Sequence, residues 1–195
     1  MFSGIIQGMG TIENVDSNNT LIRTSLDLGD CKIGSSIACN GVCLTATSIK
    51  KLNNHFIFSV NISEETKKRS NFNNLNSNRL INIEKSLKFG DEISGHFVYG
   101  HIDCVTQINK IDKLNSSWNF EFQKNNDNNM NKFIVEKGSI AINGISLTVA
   151  KTNFDYFSIS VIPHTYENTN LKQLKEKDIV NIEFDAIARY KIINE

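Results

Sequence analysis

The feature that most constrains this sequence is an internal duplication. SIACNGVCLTA at residues 36–46 matches SIAINGISLTV at residues 139–149 in seven of eleven positions, at an offset of 139 − 36 = 103. A shorter echo, INIE at 81–84 and VNIE at 180–183, follows in the same order. Solenoid repeats have periods of about 20–50 residues. A period near half of the 195 residues therefore predicts two copies of one domain.

Composition narrows the class of partner. Lys plus Arg equals Asp plus Glu at 21 each, so no basic face is predicted and neither nucleic acid nor an anionic membrane is an expected partner. No apolar run approaches the roughly 18 residues of a membrane span, and the first ten residues do not resemble a signal peptide. The four cysteines form no CxxC pair, which argues against a zinc site and predicts free thiols. We expect a cytoplasmic protein.

Alternation at period two dominates the rest of the sequence. The clearest strands are predicted at residues 55–60, 117–122 and 156–161, which are rich in β-branched and aromatic residues. Both copies contain Asn-Gly, at 40–41 and 143–144, the strongest short signal for a hairpin turn. Many short strands joined by turns favour closed barrels, which have no exposed edges. The predicted fold is all-β, with two tandem, similar Greek-key antiparallel β-barrels and a short C-terminal helix.

The duplication also predicts the domain limits. We expect an N-terminal barrel at residues 1–95 and a C-terminal barrel at residues 96–185. The tail, residues 186–195, has no counterpart in the first half, and its apolar positions suit one face of a helix for oligomer contact. Further short helices are predicted at residues 64–70 and 130–136.

Several motifs, in order, carry a resemblance to a known family. The opening MFSGII, the pair NGVCLT and NGISLT, the segment GHFVYGHID at 95–103 and the tail DAIARY at 185–190 resemble riboflavin synthases. The resemblance runs from residue 1 to about residue 190. Tyr99 departs from it, because the family has a small residue at this position.

The resemblance implies a specific reaction. Two molecules of 6,7-dimethyl-8-ribityllumazine would exchange a four-carbon unit, giving riboflavin and 5-amino-6-ribitylamino-uracil without a metal or redox cofactor. Each barrel would bind one lumazine, and the working site would form between unlike barrels of neighbouring subunits in a homotrimer. Two similar pockets suit a reaction between identical molecules, since positioning removes much of the entropic barrier. The resemblance leaves open which barrel holds the donor and whether a lumazine synthase associates with the protein.

A non-catalytic relative that binds a lumazine or flavin as an antenna or carrier is the alternative. Such relatives lose functional residues mainly in the second half, whereas the residues that the resemblance marks there are present: His101, Lys137, Ser146, Thr148 and Asp185. A plain flavin-binding module is disfavoured, because one ligand gains nothing from two matched pockets.

Four residues are the candidate catalytic groups. Cys43 and Ser146 occupy the same position of the two copies, so the duplication is asymmetric where the family contacts the ring. Either one is a candidate nucleophile toward a ring carbon, with Asp185 as the family's partner for Ser146. His101 stands where the first half has Ile5, and it is the candidate that removes a proton from the C7 methyl group. Without the resemblance, Cys43 is better explained as a small buried strand residue than as a nucleophile.

The remaining candidates would bind the substrate. Phe2 would cover the ring face, Thr45 and Thr148 would meet its polar edge, and Lys137 would reach a ligand of the neighbouring barrel. Thr66 and Thr165 would contact the ribityl hydroxyls, with Asn61, Glu64 and His164. The predicted binding set is completed by Gly4, Ile5, Ile6, Leu44, Ile62, Ser63, Glu65, Gly100, Ile102, Leu147, Val161, Ile162, Pro163 and Tyr166.

Overall fold

Two closed six-stranded antiparallel barrels form the protein in a computed structural model, which describes residues 1–15, 19–74, 77–124 and 128–193. Within the first barrel the strands neighbour one another in the order β1-β2-β5-β4-β3-β6. Their bounds are β1 Gly8–Val15, β2 Thr20–Thr24, β3 Ser36–Cys39, β4 Val42–Leu52, β5 His55–Val60 and β6 Leu80–Lys85.

The second barrel repeats this topology. Its strands neighbour one another in the order β10-β11-β8-β7-β12-β9. Read around the closed barrel from β7, this order is β7-β8-β11-β10-β9-β12, in which each strand of the first barrel is replaced by its counterpart. The bounds are β7 Cys104–Lys113, β8 Trp118–Gln123, β9 Ser139–Ile142, β10 Ile145–Thr152, β11 Tyr156–Val161 and β12 Ile179–Phe184. The predicted pair of tandem all-β barrels is confirmed. No helix in the described ranges is long and apolar enough to cross a membrane.

Short helices follow the fifth strand of each barrel. They are α1 Glu64–Arg69 and α3 Pro163–Asn168, and the C-terminal helix is α4 Ala186–Ile193. The prediction of a helix at 130–136 was wrong beyond residue 131, because α2 spans only Asn128–Asn131. The chain turns there, since the N–H groups of Phe133 and Ile134 bond to carbonyls three residues back and the Ile134 side chain enters the second barrel's core.

The two Asn-Gly hairpin turns are confirmed and pack against each other. Asn40 and Gly41 have φ of 47° and 79°, and Asn143 and Gly144 have 46° and 79°, as a type I′ turn requires. A Cβ atom on Gly41 would lie 2.6 Å from the backbone nitrogen of Gly144. The turns therefore meet at the pseudo-twofold axis that relates the barrels, where only glycine permits such an approach.

Buried asparagines join the barrels around these turns. Asn82 on β6 donates from Nδ2 to the Asn143 carbonyl at 3.0 Å and to Asn170 Oδ1 at 3.0 Å, and its Oδ1 accepts from the Asn170 N–H at 2.7 Å. Asn181 on β12 repeats the pattern, because it donates to the Asn40 carbonyl at 2.9 Å. The short 3₁₀ helices at Asn71–Asn74 and Asn170–Gln173, which contribute to these sets, thus each bond to the opposite barrel.

Asn82→Ala is expected to destabilise the fold strongly. The change leaves buried groups of Asn143 and Asn170 without their partner, and each unsatisfied buried group costs about 1–3 kcal/mol. We expect the free energy of unfolding in urea to fall by roughly 3 kcal/mol or more. Asn109→Ala, at an exposed position on β7, is the control and should change it by less than about 0.5 kcal/mol. Equal effects of the two changes would contradict this assignment.

Candidate functional site

Two short segments cross between the barrels and build the site. We call residues 3–6 the first arm and residues 99–102 the second arm. Just before each arm, Phe2 and Val98 form an antiparallel bridge, with backbone hydrogen bonds of 2.7 and 3.0 Å. Ile6 then packs against the core of the second barrel, and Ile102 packs against the core of the first. Each barrel is therefore lined in part by the other half of the sequence.

The arms lie on the strands that carry the predicted nucleophiles. The Cys43 N–H donates to the Gly100 carbonyl at 2.9 Å, and the Ser146 N–H donates to the Gly4 carbonyl at 2.8 Å. Gly4 has φ of +76° and Gly100 has φ of +79°. A Cβ atom on either glycine would lie within 2.6 Å of the Cβ atom of the residue that it faces, Ser146 or Cys43. The two contacts are equivalent under the pseudo-twofold axis, so Cys43 and Ser146 occupy equivalent places.

A half-open cavity lies beside Cys43, and we call it the first pocket. Its volume is about 210 Å³. The first half of the chain contributes strand β4 and helix α1, and the second half contributes the second arm; the lining residues are Val42, Cys43, Glu65, Thr66, Arg69, Ser70, Gly100, His101 and Ile102. Pockets that enclose a drug-sized ligand measure about 300–1,000 Å³. The first pocket therefore covers only part of such a ligand and leaves a face open.

Helix α1 shapes one wall of the first pocket. Ser63 caps the helix by accepting a hydrogen bond from the Thr66 N–H at 3.1 Å, and the hydroxyls of Ser63 and Thr66 lie 2.9 Å apart. Glu65 and Arg69 form an ion pair one turn apart. The wall thus offers hydroxyl and charged groups, while Cys43 and His101 stand at the opposite strand and arm.

Ser146 lies in a different environment, which we call the second site: Gly4, Gly95, His96 and Ser146. His96 Nδ1 is 2.7 Å from Ser146 Oγ. Gly95 lies so close that a Cβ atom there would be 2.1 Å from the Ser3 carbonyl oxygen and 2.9 Å from Ser146 Oγ. A side chain at residue 95 would therefore displace either the first arm or the serine.

The pKa of His96 is shifted in the direction that suits a proton acceptor. Burial lowers the pKa of His96, and the negative charge of Asp185 opposes that effect. A lowered pKa favours the neutral ring at neutral pH, and a neutral imidazole has one nitrogen free to accept the Ser146 hydroxyl proton. Asp185 itself accepts a hydrogen bond from the Ile187 N–H at 2.9 Å at the start of α4. The effect of Asp185 that the structure shows on this pair is that of a negative charge near His96.

Comparison with known proteins agrees with this duplicated arrangement. The lumazine binding domain family model matches residues 3–86 and again residues 99–185. Riboflavin synthases of Actinobacillus pleuropneumoniae and of Brucella abortus are each 37% identical over 97% of this chain, and the match covers 87% and 96% of their own lengths. The chain belongs to the riboflavin synthase family.

Solved structures share the fold at lower identity. LumP in complex with 6,7-dimethyl-8-(1′-D-ribityl)lumazine superposes with a TM-score of 0.80 at 22% identity, over 94% of this chain and 99% of that one. LumP in complex with riboflavin gives a TM-score of 0.80 at 23% identity. At this identity the likeness shows only that LumP and this chain share a fold.

Several residues that the sequence predicted to bind substrate are core residues of the family fold. Phe2 is fully buried in a cluster at the junction of the barrels, with Cys43 at its edge, so its ring has no exposed face to offer a ligand. Leu44, Ile62 and Val161 are buried in the barrel cores, and Tyr166 stacks on Trp118 at a centroid distance of 4.0 Å.

The other predicted residues lie where the duplication places them. Thr45, Asn61 and Glu64 are exposed on or beside first-half elements, and Ile5 is exposed on the first arm. The second-half residues lie on β10, on α3 or just before it: Leu147, Thr148, Ile162, Pro163, His164 and Thr165. Lys137 is exposed and has φ of 65°, where the first copy has Gly34 at 92°. A non-glycine residue in this conformation costs about 1–2 kcal/mol, but Lys177 in the turn before β12 has φ of 73° as well, so the backbone by itself assigns Lys137 no role.

Sequence reasoning missed three contributors. Arg69 and Ser70 line the first pocket, and His96 bonds to Ser146. The helix predicted at residues 64–70 places Arg69 one turn after Glu65, and this was a usable signal for that residue. No local signal reveals the contact between His96 and Ser146, because 50 residues separate them.

Proposed function

We propose that the protein dismutates two molecules of 6,7-dimethyl-8-ribityllumazine, one held in the first pocket and one at the second site. The observation that supports this most directly is the asymmetry of two equivalent places: Cys43 with His101 at one, and Ser146 with His96 at the other. One substrate must donate carbons and the other must accept them, so equal binding domains need unequal chemistry. The two products together contain the atoms of two substrates, and no oxidant, reductant or water is consumed.

The first pocket binds a lumazine and handles a proton. The ring lies against Cys43 and the second arm, while Thr66 and the Glu65–Arg69 pair on α1 meet the ribityl hydroxyls. His101 accepts a proton from the C7 methyl group of a bound lumazine, which turns that carbon into a nucleophile. The pocket leaves one ligand face open, and the second lumazine approaches from this side.

The second site activates a nucleophile. His96 accepts the Ser146 proton, and the oxygen of Ser146 adds to an electrophilic ring carbon of the second lumazine. Asp185 favours the protonated imidazole that forms in this step, because its negative charge raises the pKa of His96. Proton return from His96 then releases the serine when the four-carbon unit leaves.

The first pocket and the second site act together in an oligomer. We propose a homotrimer in which the first pocket of one subunit faces the second site of a neighbour, with α4 at the contact. Ile187 and Tyr190 on α4 are more than two-thirds exposed in the single chain, as an interface helix requires. All four cysteines are free thiols, which supports a cytoplasmic location. Association with a lumazine synthase, and the division of the chain at residues 95 and 96, stay predictions.

The deciding experiment supplies 6,7-dimethyl-8-ribityllumazine alone. We expect purified protein, in the presence of a chelator, to form riboflavin and 5-amino-6-ribitylamino-uracil in equal amounts, as followed by chromatography. The balance of atoms in the reaction requires this ratio. Tight binding of lumazine or riboflavin without turnover would contradict the proposal and would instead establish the alternative, a carrier or antenna protein.

A further inference from the structure

Two buried carboxylates hold the arms, and their partners are matched but not identical. Glu84, at the end of β6, accepts hydrogen bonds from the Ser3 N–H at 2.8 Å, the Ser3 hydroxyl at 2.9 Å and the Gly4 N–H at 3.1 Å. Glu183, at the same position of β12, accepts from the N–H groups of Tyr99 at 2.7 Å and Gly100 at 2.9 Å. Each carboxylate fixes the arm that leads into its own barrel.

The two sets differ at the residue that carries the chemistry. Glu183 Oε2 also accepts from the His101 N–H at 3.1 Å, so three consecutive backbone groups converge on one side chain. In the first arm the equivalent residue is Ile5, whose N–H bonds to the Ser3 hydroxyl at 3.4 Å and also stabilises the Glu84 carboxylate, but whose side chain carries no titratable group. The Glu183 contact therefore constrains the backbone of His101 itself.

We propose that Glu183 is the positioning residue for His101: it fixes the second arm through three backbone N–H groups and so sets the imidazole at the first pocket. His101 is exposed, and its ring stacks loosely on Tyr99 at a centroid distance of 6.4 Å. No other residue that the structure describes bonds to the imidazole, so the backbone is its main restraint. The inference rests on the proposed function only for the role of His101 in turnover.

The surroundings of Glu183 make its hydrogen bonds to the second arm depend on pH. Burial raises the pKa of Glu183 to about 7, with a further contribution from the negative charge of Asp103, while the backbone donors and Arg189 oppose the shift. Asp103 forms an ion pair with Arg189 on α4, and Arg69 on α1 also acts on Asp103. Hydrogen bonds to a charged acceptor are roughly twice as strong as neutral ones. Protonation of Glu183 as the pH falls through about 7 therefore weakens the hold on the second arm.

A matched pair of variants tests the proposal. Glu183→Gln and Glu84→Gln make the same chemical change at equivalent buried places, and only the first touches the arm of His101. We expect Glu183→Gln to alter the NMR titration curve of the His101 ring and to lower kcat at least tenfold, since a misplacement of about 1 Å can cost about 100-fold. Glu84→Gln should leave the His101 titration curve unchanged. An unaltered His101 curve in Glu183→Gln, or an equal change in both variants, would overturn the proposal.

Two further measurements keep the test decisive. If Glu183→Gln does not fold, Glu183→Asp is used, because its shorter side chain cannot reach all three donors and should alter the same curve. In the unmodified protein, the amide proton signals of Tyr99, Gly100 and His101 should follow the titration of the Glu183 carboxyl carbon; independent titrations would overturn the proposal. These readouts need no turnover. If the protein binds lumazine without reacting, the proposed function is disproved, but the NMR measurements still decide the role of Glu183.

Discussion

Replacement of Ser146 by alanine is expected to reduce riboflavin formation by about 100- to 1,000-fold, the range of a lost nucleophile and general base pair. The backbone hydrogen bond from residue 146 to the Gly4 carbonyl does not involve the side chain, so the first arm keeps its place. The first pocket lies against the equivalent strand of the other barrel, and its affinity for lumazine should stay within about twofold of the original. Single-turnover kinetics and fluorescence titration measure the two quantities.

A double-variant cycle identifies the partner of Ser146. If His96 acts by accepting the serine proton, His96→Ala alone should lose about as much activity as Ser146→Ala, and the double variant should lose little more. Residues that act as a unit give such non-additive effects. Losses that multiply in the double variant would show that His96 and Ser146 act independently, and an unchanged rate in Ser146→Ala would remove the serine from the mechanism. Cys43→Ala gives the comparison for the equivalent place.

The second large effect concerns the junction of the barrels. Gly41→Ala is expected to lower the free energy of unfolding by more than about 4 kcal/mol, which is exceptional for one methyl group. The added Cβ atom would lie 2.6 Å from the Gly144 nitrogen and 2.8 Å from its Cα, and both are backbone atoms that no side-chain rotation can move aside. The left-handed conformation adds about 1–2 kcal/mol. Urea unfolding monitored by circular dichroism measures the change.

A neighbouring glycine separates the two causes. Gly34 has φ of +92°, also in the region that favours glycine, but no atom lies within 4 Å of its hypothetical Cβ. Gly34→Ala should therefore cost only the conformational part, about 1–2 kcal/mol. If the two substitutions destabilise the protein equally, contact between the turns does not hold the barrels together.

Much of the fold was predictable from local patterns. The strand at 55–60, the strand at 156–161 and both Asn-Gly turns appear where alternation and turn chemistry predicted them, because these signals depend on neighbouring residues alone. Helix α3 was missed, although its counterpart α1 was predicted. Its sequence offers Ile162 in place of a capping serine, and Pro163 in its first turn, a position that proline favours, was not used as a helix signal. The duplication itself was the signal that should have supplied it.

The candidate site, too, was predictable only in part from the sequence. The identity of the chemical groups followed from the repeat, because Cys43 and Ser146 differ inside an otherwise matched motif. The location of His101 did not follow, since its arm crosses to the opposite barrel and joins Cys43. Phe2 shows the reverse error: an aromatic residue near a predicted ligand is, in the folded chain, part of the junction cluster.

The sequence by itself determined that this protein has two copies of one barrel, of the lumazine-binding type, with unequal chemical groups at equivalent positions. Only the tertiary structure decided which groups meet. The crossed arms, the bond between His96 and Ser146, and the carboxylates of Glu84 and Glu183 all join residues that lie between 50 and 142 positions apart. Such pairs leave no periodicity or spacing in a single sequence, because their contact depends on how two barrels pack around a pseudo-twofold axis.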